Sequence, residues 1–371
     1  MLERRSCAVV GLGNIGSHAA RLVARLPVVG QVILVDFDEV EERNLSTQSV
    51  RQSDVGRPKA VVAGRGLRDA RRDLDVVVHA ERLENTPLGD LRADVILGCL
   101  DSRVARMALN ERAVVLGVPL VDAGVAAAGL LGRVSVLGGE GPCLECAWDE
   151  DAYASVETVH PCEGTETAPA PTSAPAFLGA TAAALQVAAC SRILRGETEG
   201  SGKETILDLA HGRLLVSSLR ARSTCRMAPH RPWRIERVAA SPEHVQLQAA
   251  LALGPPRVPG ETRSIQCARG PFATTLRCGE CGAGRSILRL ASSLTRRDRR
   301  CRKCGGELAA VGMDLRERLE IGSLERAELG RSLASLGVRV GDVITVRAGE
   351  ATRHFEIAGP PPAPSVAGAE R

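Results

Sequence analysis

"SCAVVGLGNIGSHAARLVARL" runs from Ser6 to Leu26 and is typical of a buried strand, a glycine-rich turn and an amphipathic helix. The turn carries Gly11, Gly13 and Gly16 in the spacing G-x-G-x-x-G. Glycines at these positions permit a tight turn and close backbone approach, and the N-terminus of the following helix favours phosphate. The stretch therefore predicts a phosphate-binding loop at the carboxyl end of the first strand.

Downstream of this stretch, short apolar runs alternate with helical patterns. Residues 31–40, 75–80, 94–102 and 118–125 read as strands, two of them with acidic ends, and residues 57–70 and 103–117 read as helices. This alternation is typical of βαβ units. It predicts an α/β fold: a doubly wound, Rossmann-like, mostly parallel sheet. A small-residue helix over 175–194 and a hairpin that turns near His211 are expected to follow.

Composition narrows the function classes. The 371 residues carry a formal net charge of +4 and only 2% aromatic residues, which argues against a general nucleic-acid footprint and against base stacking. No uninterrupted apolar run reaches the roughly 18 residues of a membrane span. We therefore expect a cytoplasmic protein with reduced thiols, in which 12 cysteines indicate metal binding or catalysis rather than disulfides.

Polar residues after the predicted strands identify the kind of nucleotide chemistry. Asp36 lies where a carboxylate can bind ribose hydroxyls, a feature that an NAD- or FAD-dependent oxidoreductase would share. A hydride-transfer site has no need of further polar and cationic groups beside the ribose. An enzyme that promotes attack on the α-phosphate of ATP needs them, for magnesium and for phosphate charge. The candidates here are Asp38, Asn44, Gln48, Lys59 and, in "CLDS", Asp101.

The same residues, with others up to about residue 235, carry a family resemblance. Over residues 5–235 the sequence resembles the ThiF/MoeB/HesA-type, ubiquitin-activating-enzyme-like adenylyltransferases. The matching features are the glycine loop, "VDFD" (35–38), "NL" with Gln48, "GRPKA" (56–60), "LDS" with Arg106 and Asn110, "GPCLEC" (141–146), and the helix after "PTSAP" (171–175).

The resemblance implies a function and roles for the residues. Such enzymes adenylate the C-terminal glycine of a ubiquitin-like or sulfur-carrier β-grasp protein. Asp36 would hold ribose, Asn44 and Lys59 would hold phosphates, and Asp101 would serve Mg²⁺ and the reaction. The resemblance also implies a homodimer, and it adds a conjugating enzyme to the candidate partners; a membrane or a nucleic acid is not expected as a partner.

Two positions depart from the family pattern. Thr47 stands where the family commonly has a phosphate-binding arginine, and Ser102 stands where it has asparagine. The missing charge could come from Arg43, Arg51 or Arg57, or from Arg4 or Arg5 of a partner subunit. The alternative is a degenerate, zinc-bearing scaffold that does not adenylate, because loss of a single transition-state cation can cost orders of magnitude in rate.

A cysteine-rich stretch around residues 143–162 predicts metal and thiol chemistry. Cys143 and Cys146 form C-x-x-C, half of a tetrahedral zinc site. The resemblance favours Cys225 and His230 as the second pair of ligands, and the local alternative is His160 with Cys162. Spacing alone excludes neither. If Cys162 is not a ligand, it lies in the loop where thioester-forming relatives carry their nucleophile, and its thiolate could attack the acyl-adenylate.

A second zinc site is expected in the back half of the chain. Cys278 and Cys281 are followed, after nineteen residues, by Cys301 and Cys304, a spacing typical of a structural zinc ribbon. The predicted organisation is an adenylation domain (1–235, with a crossover loop at about 147–175), a linker (236–262), the ribbon (263–310), a small α/β docking segment (311–358) and a disordered tail (359–371).

Overall fold

The computed structural model describes residues 4–139, 141–157, 174–197, 200–256 and 262–360. The chain divides into two compact units. Unit 1 comprises Met1–Thr86 and Leu91–Trp233, and unit 2 comprises Pro87–Asp90 and Arg234–Arg371. Each unit has its own hydrophobic core.

Unit 1 is built on an eight-stranded sheet with the order β3-β2-β1-β4-β5-β6-β7-β8. The strands are β1 (Arg5–Val10), β2 (Val29–Val35), β3 (Asp75–His79), β4 (Val95–Gly98), β5 (Leu120–Ala126), β6 (Leu131–Leu137), β7 (Lys203–Asp208) and β8 (Arg213–Ser218). The first five strands pair in parallel, and the last three add antiparallel. This is the predicted mostly parallel, doubly wound α/β sheet.

The helices of unit 1 are α1 (Gly16–Val23), α2 (Lys59–Ala70), α3 (Arg103–Leu116), α4 (Glu150–Glu157) and α5 (Ala176–Leu194), and α1, α2, α3 and α5 pack on strands of the sheet. The central strands are buried on both faces because helices pack against them; in β1, for example, Cys7, Ala8 and Val9 are fully buried. The shortage of aromatic residues is met by small and branched aliphatic side chains, which fill the core.

Helix α5 is long and apolar enough to meet the length and composition of a membrane span, with a mean hydropathy of 1.5 over 18 residues. Its contacts are those of a core helix packed on a sheet. Leu178, Ala182 and Ala183 are fully buried, and the amide of Gln186 donates to the carbonyls of Gly98 (3.0 Å) and Val121 (2.7 Å). Length and composition alone are therefore weak evidence for a span.

Unit 2 contains two sheets. The five-stranded sheet has the order β15-β10-β16-β17-β9, and the ribbon sheet centres on β11, which pairs with β12, β13 and β14. The elements are β9 (Ile235–Val238), α6 (Leu247–Ala252), β10 (Arg263–Cys267), β11 (Phe272–Cys278), β12 (Gly284–Leu290), β13 (Leu308–Ala309), β14 (Leu315–Arg316), β15 (Leu319–Glu320), α7 (Arg326–Leu329), β16 (Val343–Ala348) and β17 (Ala351–Ile357).

The back half corrects three details of the sequence interpretation. The stretch 236–262 is not a linker over its described length, because β9 joins the five-stranded sheet and α6 buries Leu247 and Leu251 in the core of unit 2. Strand β10 belongs to that sheet rather than to the ribbon. The α/β docking segment expected over 311–358 has as its α-helix only the short α7, which ends at Leu329 and is capped by Gly330. Its longer strands, β16 and β17, form an antiparallel hairpin.

Candidate nucleotide site and metal centres

The strand order places a crevice beside β1. The chain moves from β1 to β2 on one side and reaches β4 on the other, so the connections diverge at the carboxyl ends of β1 and β4. Crevices at such switch points are where doubly wound sheets bind ligands. The glycine loop follows β1, Asp36 follows β2, and Asp101 comes three residues after β4. Topology thus brings the predicted nucleotide residues to one edge of the sheet.

The three glycines of the loop differ in what requires them. Gly11 has φ +86°, and a Cβ there would lie 2.7 Å from the carbonyl oxygen of Cys99. A Cβ on Gly16 would lie 1.8 Å from the oxygen of Gly11. Both glycines are therefore required by the fold. A Cβ on Gly13 would meet only Nε2 of Gln48, at 4.0 Å, so the fold does not require this glycine.

Asp36 holds the glycine loop in place. One carboxylate oxygen accepts a hydrogen bond from the backbone N–H of Leu12 (2.6 Å), and the other accepts one from that of Asp38 (2.8 Å). Burial raises the pKa of Asp36, while the nearby Lys59 ammonium and these two N–H groups oppose the rise. The carboxylate thus connects the loop after β1 to the loop after β2.

Lys59 is the first residue of α2 and is anchored by Asp38. Its Nζ lies 2.9 Å from Oδ2 of Asp38. Asn44 is buried and its Oδ1 accepts from the backbone N–H of Glu41, which stabilises the short 3₁₀ turn between β2 and α2. The Oε1 atom of Gln48 is buried without a hydrogen-bond partner among the described residues. Asp101, by contrast, is exposed.

The arginines that could replace the one absent at Thr47 fall into two groups. Arg43 pairs with Glu41 (2.6 Å), while Arg4 and Arg5 pair with Asp73 and Asp94 of their own chain (2.8 and 3.0 Å). Within the part of the chain that the structure describes, the remaining two candidates, at positions 51 and 57, are exposed and form no ion pair. They are the candidates whose charge is not already neutralised.

The first metal cluster unites residues far apart in sequence. Donor atoms of Cys143, Cys146, Cys225 and His230 all lie within 4.8 Å of one another. Sγ of Cys143 is 3.6 Å from Sγ of Cys225, and Sγ of Cys146 is 3.2 Å from Nε2 of His230. Ligands about 2.3 Å from one tetrahedral zinc ion lie roughly 3.8 Å apart. The spacing fits zinc and is too long for a disulfide, whose sulfurs lie about 2.05 Å apart.

Burial of this cluster disfavours free thiolates. Burial raises the pKa of Cys143 to about 12, and burial raises that of Cys225 as well. Thiolates at such a site need a neighbouring positive charge, which a divalent metal supplies. The competing ligands His160 and Cys162, and with them the predicted nucleophile, lie outside the described residues.

A buried polar group supports the loop that carries the first two ligands. The side chain of Asn110, on α3, donates to Oε1 of Glu145 (3.0 Å) and accepts from the backbone N–H of Leu144 (2.9 Å). The hydroxyl of Tyr153 donates to the second oxygen of Glu145 (3.0 Å). Helix α3 and the metal loop are therefore connected through one carboxylate that is only 2% exposed.

The second cluster lies in the ribbon of unit 2. Cys278, Cys281, Cys301 and Cys304 bring their sulfurs within 4.8 Å of one another. The pairs 278–304 and 281–301 are 3.4 and 3.7 Å apart. All four positions are thiols, so a bound zinc ion would have a closed coordination shell and a structural role.

Comparison with known proteins places unit 1 in a family. Residues 1–227, more than half of the chain, match the ThiF family. The chain belongs to the ThiF family. This match confirms the family resemblance that the glycine loop and the following polar residues indicated.

Named relatives of this ThiF-family chain are activating enzymes. It is 34% identical over 148 residues to the sulfur carrier protein ThiS adenylyltransferase of Escherichia coli, covering 38% of this chain and 58% of that protein. It is 32% identical over 145 residues to the SAMP-activating enzyme E1 of Haloferax volcanii, covering 38% and 53%. It is 30% identical over 160 residues to the ubiquitin-like modifier-activating enzyme 5 of Dictyostelium discoideum, covering 39% and 42%. The chain thus spans about half the length of these relatives.

Solved structures agree on the fold of the ThiF family. The chain resembles the crystal structure of E. coli MccB with ATP at a TM-score of 0.50 and 21% identity, over 61% of this chain and 66% of that one. At this identity the likeness supports the fold alone. The matched share, 61% of this chain, is close to the share that unit 1 makes up.

Two buried groups of the ThiF domain were not identified as site residues from the sequence. Asp122, inside β5, is 1% exposed and pairs with Arg106 and Arg133. Gln186 joins β4 to β5, as described above, and accepts a hydrogen bond from the thiol of Cys99 (3.3 Å). A carboxylate within an otherwise apolar strand signals a buried cationic partner, but the sequence does not show which arginine supplies it.

Proposed function

We propose that this ThiF-family protein uses ATP to adenylate the C-terminal carboxylate of a ubiquitin-like or sulfur-carrier protein. Three things support the proposal: the family, the glycine loop at the switch point of the sheet, and the polar residues at the same edge. The names of the relatives, a ThiS adenylyltransferase and a SAMP-activating enzyme, indicate the class of the acceptor.

The observation that carries the proposal is the space at Gly13. Gly11 and Gly16 are required by contacts inside the protein, whereas a Cβ on Gly13 would meet only Nε2 of Gln48, at 4.0 Å. A glycine without a structural requirement, in a loop before a helix N-terminus, leaves room for a ligand to approach the backbone. Phosphate is the ligand that such backbone N–H groups favour.

The chemistry then follows from the residues around the loop. A carboxylate oxygen of the acceptor attacks the α-phosphorus of ATP, the bond to the bridging β-phosphate oxygen breaks, and pyrophosphate leaves. The ammonium of Lys59 is pre-positioned by Asp38 and stabilises the negative charge on the phosphates. Mg²⁺ would supply further charge neutralisation, and the exposed carboxylate of Asp101 would hold it. Asp36 positions the loop and would accept a ribose hydroxyl.

The proposal has a second step. The thiolate of Cys162 attacks the carbonyl carbon of the acyl-adenylate, AMP leaves, and a thioester forms. The basis for this step is the family resemblance and the placement of Cys162 in the predicted crossover loop. The family resemblance also supports a homodimer and transfer to a conjugating enzyme, and the cytoplasmic location expected from the sequence stays part of the proposal. The two cysteine-rich clusters would each hold one structural Zn²⁺.

A second candidate function is supported by Thr47. The family's phosphate-binding arginine is absent there, and Arg43, Arg4 and Arg5 are already paired. A scaffold that has kept the fold and the zinc but lost adenylation would have these features. The hydride-transfer alternative, by contrast, gains no support from the family to which the chain belongs.

One experiment separates these functions. The purified chain is incubated with ATP, Mg²⁺, radiolabelled pyrophosphate and a panel of β-grasp proteins that end in glycine. Adenylation predicts label in ATP that depends on the acceptor and disappears when its last glycine is removed. ATP binding without exchange, for every member of a panel that includes the β-grasp proteins encoded in the same genome, would leave only the scaffold.

A further inference from the structure

The ribbon of unit 2 concentrates positive charge far beyond the average of the chain. The segment 285–305 contains eight cationic side chains and one acidic side chain, a formal net charge of +7, whereas the whole chain carries +4. The cationic residues are Arg285, Arg289, Arg296, Arg297, Arg299, Arg300, Arg302 and Lys303. The low net charge of the chain therefore conceals a strongly basic region.

Folding gathers most of these residues around one groove. The groove has a volume of about 1030 Å³ and is lined by six arginines together with Thr295, Asp298, Cys301 and Gly305. The arginines come from β12 and from the loop that leads to the second pair of cysteines. The groove, which we call the arginine groove, is thus formed by an ordered hairpin and by a predicted zinc knuckle.

The one carboxylate of the arginine groove is already engaged. Oδ1 of Asp298 pairs with Arg285 (3.2 Å), and Oδ2 accepts hydrogen bonds from the backbone N–H and the hydroxyl of Thr295 (2.9 and 2.7 Å). Arg289 lies 3.9 Å from the same carboxylate. Asp298 therefore fixes the loop and pairs with only two of the six arginines of the groove.

Four guanidinium groups of the groove remain without a carboxylate partner among the described residues. They belong to Arg296, Arg297, Arg300 and Arg302, and all four residues are exposed. A zinc ion bound by four thiolates carries a net charge of −2, which nearby cations would offset. The segment 285–305 has a formal net charge of +7, several times what is needed to offset the −2 of the zinc site. The excess positive charge favours binding of an external anion.

The lining of the groove identifies the kind of anion. Protein interfaces are usually built around an apolar centre with aromatic anchors, and interfaces with nucleic acids are more polar and much more positive. No aliphatic or aromatic residue lines the groove within the described part of the chain. Arginine forms bidentate hydrogen bonds with phosphate. The groove therefore suits a row of phosphates better than it suits an acidic protein.

The same lining limits how a nucleic acid would be read. Single-strand binding depends on aromatic side chains that stack on bases, and the groove has none. Contacts to the phosphodiester backbone position a nucleic acid without reading its sequence. We propose that the arginine groove of unit 2 binds the phosphodiester backbone of a nucleic-acid duplex, independently of its sequence and of adenylation in unit 1.

Salt dependence tests this proposal on the full-length, zinc-loaded chain. Binding of short fluorescent RNA and DNA duplexes is followed by fluorescence anisotropy between about 50 and 200 mM salt. In a plot of the logarithm of the binding constant against the logarithm of the salt concentration, each phosphate contact contributes about 0.9 to the magnitude of the slope. The triple variant R296Q/R297Q/R300Q should lose at least about tenfold in affinity at the lowest salt and reduce the slope by about 2.7. Equal affinities of the wild type for the RNA and DNA duplexes would show that the groove recognises only the phosphodiester backbone. A higher affinity for the RNA duplex would identify RNA as the nucleic acid that supplies this backbone.

A matched control removes the same charge elsewhere in unit 2. The variant R316Q/R318Q/R326Q changes three exposed arginines that do not line the groove, and it should bind duplexes as the wild type does. The proposal is overturned if both triple variants lose affinity equally, if the wild type binds no duplex at the lowest salt, or if polyglutamate of equal charge competes as well as a duplex. Zinc content and thermal unfolding establish that each variant is folded.

Discussion

The ammonium of Lys59 lies 2.9 Å from a carboxylate oxygen of Asp38, and the lysine side chain is only 9% exposed while that of the aspartate is 46% exposed. The amine is thus held by a partner that faces solvent. Within this pair, loss of the lysine leaves a hydrated carboxylate on Asp38, while the buried Asp36 loses one neighbouring positive charge.

This asymmetry makes Lys59→Gln a clean test of phosphate binding. The free energy of unfolding should fall by about 1–2 kcal/mol, since Asp38 stays solvated and the buried Asp36 loses one cation but keeps its two backbone N–H donors. Acceptor-dependent pyrophosphate exchange should fall by about 100-fold or more, because a transition-state cation is lost. Lys203→Gln, a change at another of the three lysines, should leave exchange unchanged. Exchange that survives in Lys59→Gln would remove the lysine from the proposed mechanism.

Substitutions in the glycine loop can separate an effect on ligand binding from an effect on stability. Gly13→Ala should leave thermal unfolding within about a degree of the wild type, since its Cβ meets nothing closer than 4.0 Å. It should weaken ATP binding by about tenfold or more, measured by calorimetry, because the new methyl group fills the approach to the backbone. Gly11→Ala should instead lower stability strongly, given its φ of +86° and a Cβ 2.7 Å from a carbonyl oxygen. If Gly13→Ala binds ATP normally, the phosphate does not lie over this residue.

Local features were predictable from the sequence because their partners are near in the chain. Each of three features can be recognised from a short stretch of sequence: the glycine loop, the strand that ends at Asp36 and the ribbon cysteines. The alternation of strands and helices was enough for the parallel sheet. The cluster of Cys143 with Cys225 joins residues 82 apart, and it could be anticipated only through the family resemblance.

Other features depend on contacts that no local pattern reveals. Helix α6 has six residues and lies next to a stretch rich in proline and glycine, so the sequence suggests a linker although the helix is buried in unit 2. Asp122 and its arginine partners meet only after β5 and α3 have packed. The arginine groove has a local signal in the basic run over 296–303, but such a run is more often a solvated surface, and only the folded ribbon shows that its side chains line one groove.

Zinc stoichiometry tests the choice of ligands in unit 1. The wild type should contain about two zinc ions per chain, and Cys146→Ser should contain about one, because three ligands with an open position bind less tightly. Cys162→Ser should keep both ions, as should His160→Ala. Metal analysis after exhaustive dialysis gives the count. Loss of one zinc ion from Cys162→Ser with retention in Cys225→Ser would transfer the site to the local alternative.

The proposed thioester gives Cys162 a separate readout. Cys162→Ala should keep acceptor-dependent pyrophosphate exchange within about twofold, because adenylation precedes thiol attack. It should lose the covalent adduct with the acceptor that a reducing agent releases on a gel. Cys99→Ala is no suitable control, since that thiol is buried and bonded to Gln186. An adduct that persists in Cys162→Ala would assign the nucleophile to another cysteine.

We expect the buried carboxylate of Glu145 to contribute strongly to the stability of the protein, although it lies outside the strands. Glu145→Ala removes the acceptor of both Asn110 and Tyr153 and leaves two buried donors unpaired, so stability should fall by at least about 2 kcal/mol. Glu145→Gln keeps one acceptor oxygen, and its amide can donate to the tyrosine hydroxyl, so the loss should be about 1 kcal/mol or less. Glu150→Ala removes an exposed carboxylate from the start of α4 and serves as the control. Thermal unfolding of the zinc-loaded chain, with zinc content measured in parallel, gives the comparison. Equal losses in the alanine and glutamine variants would show that this carboxylate acts through its charge and not through the two hydrogen bonds.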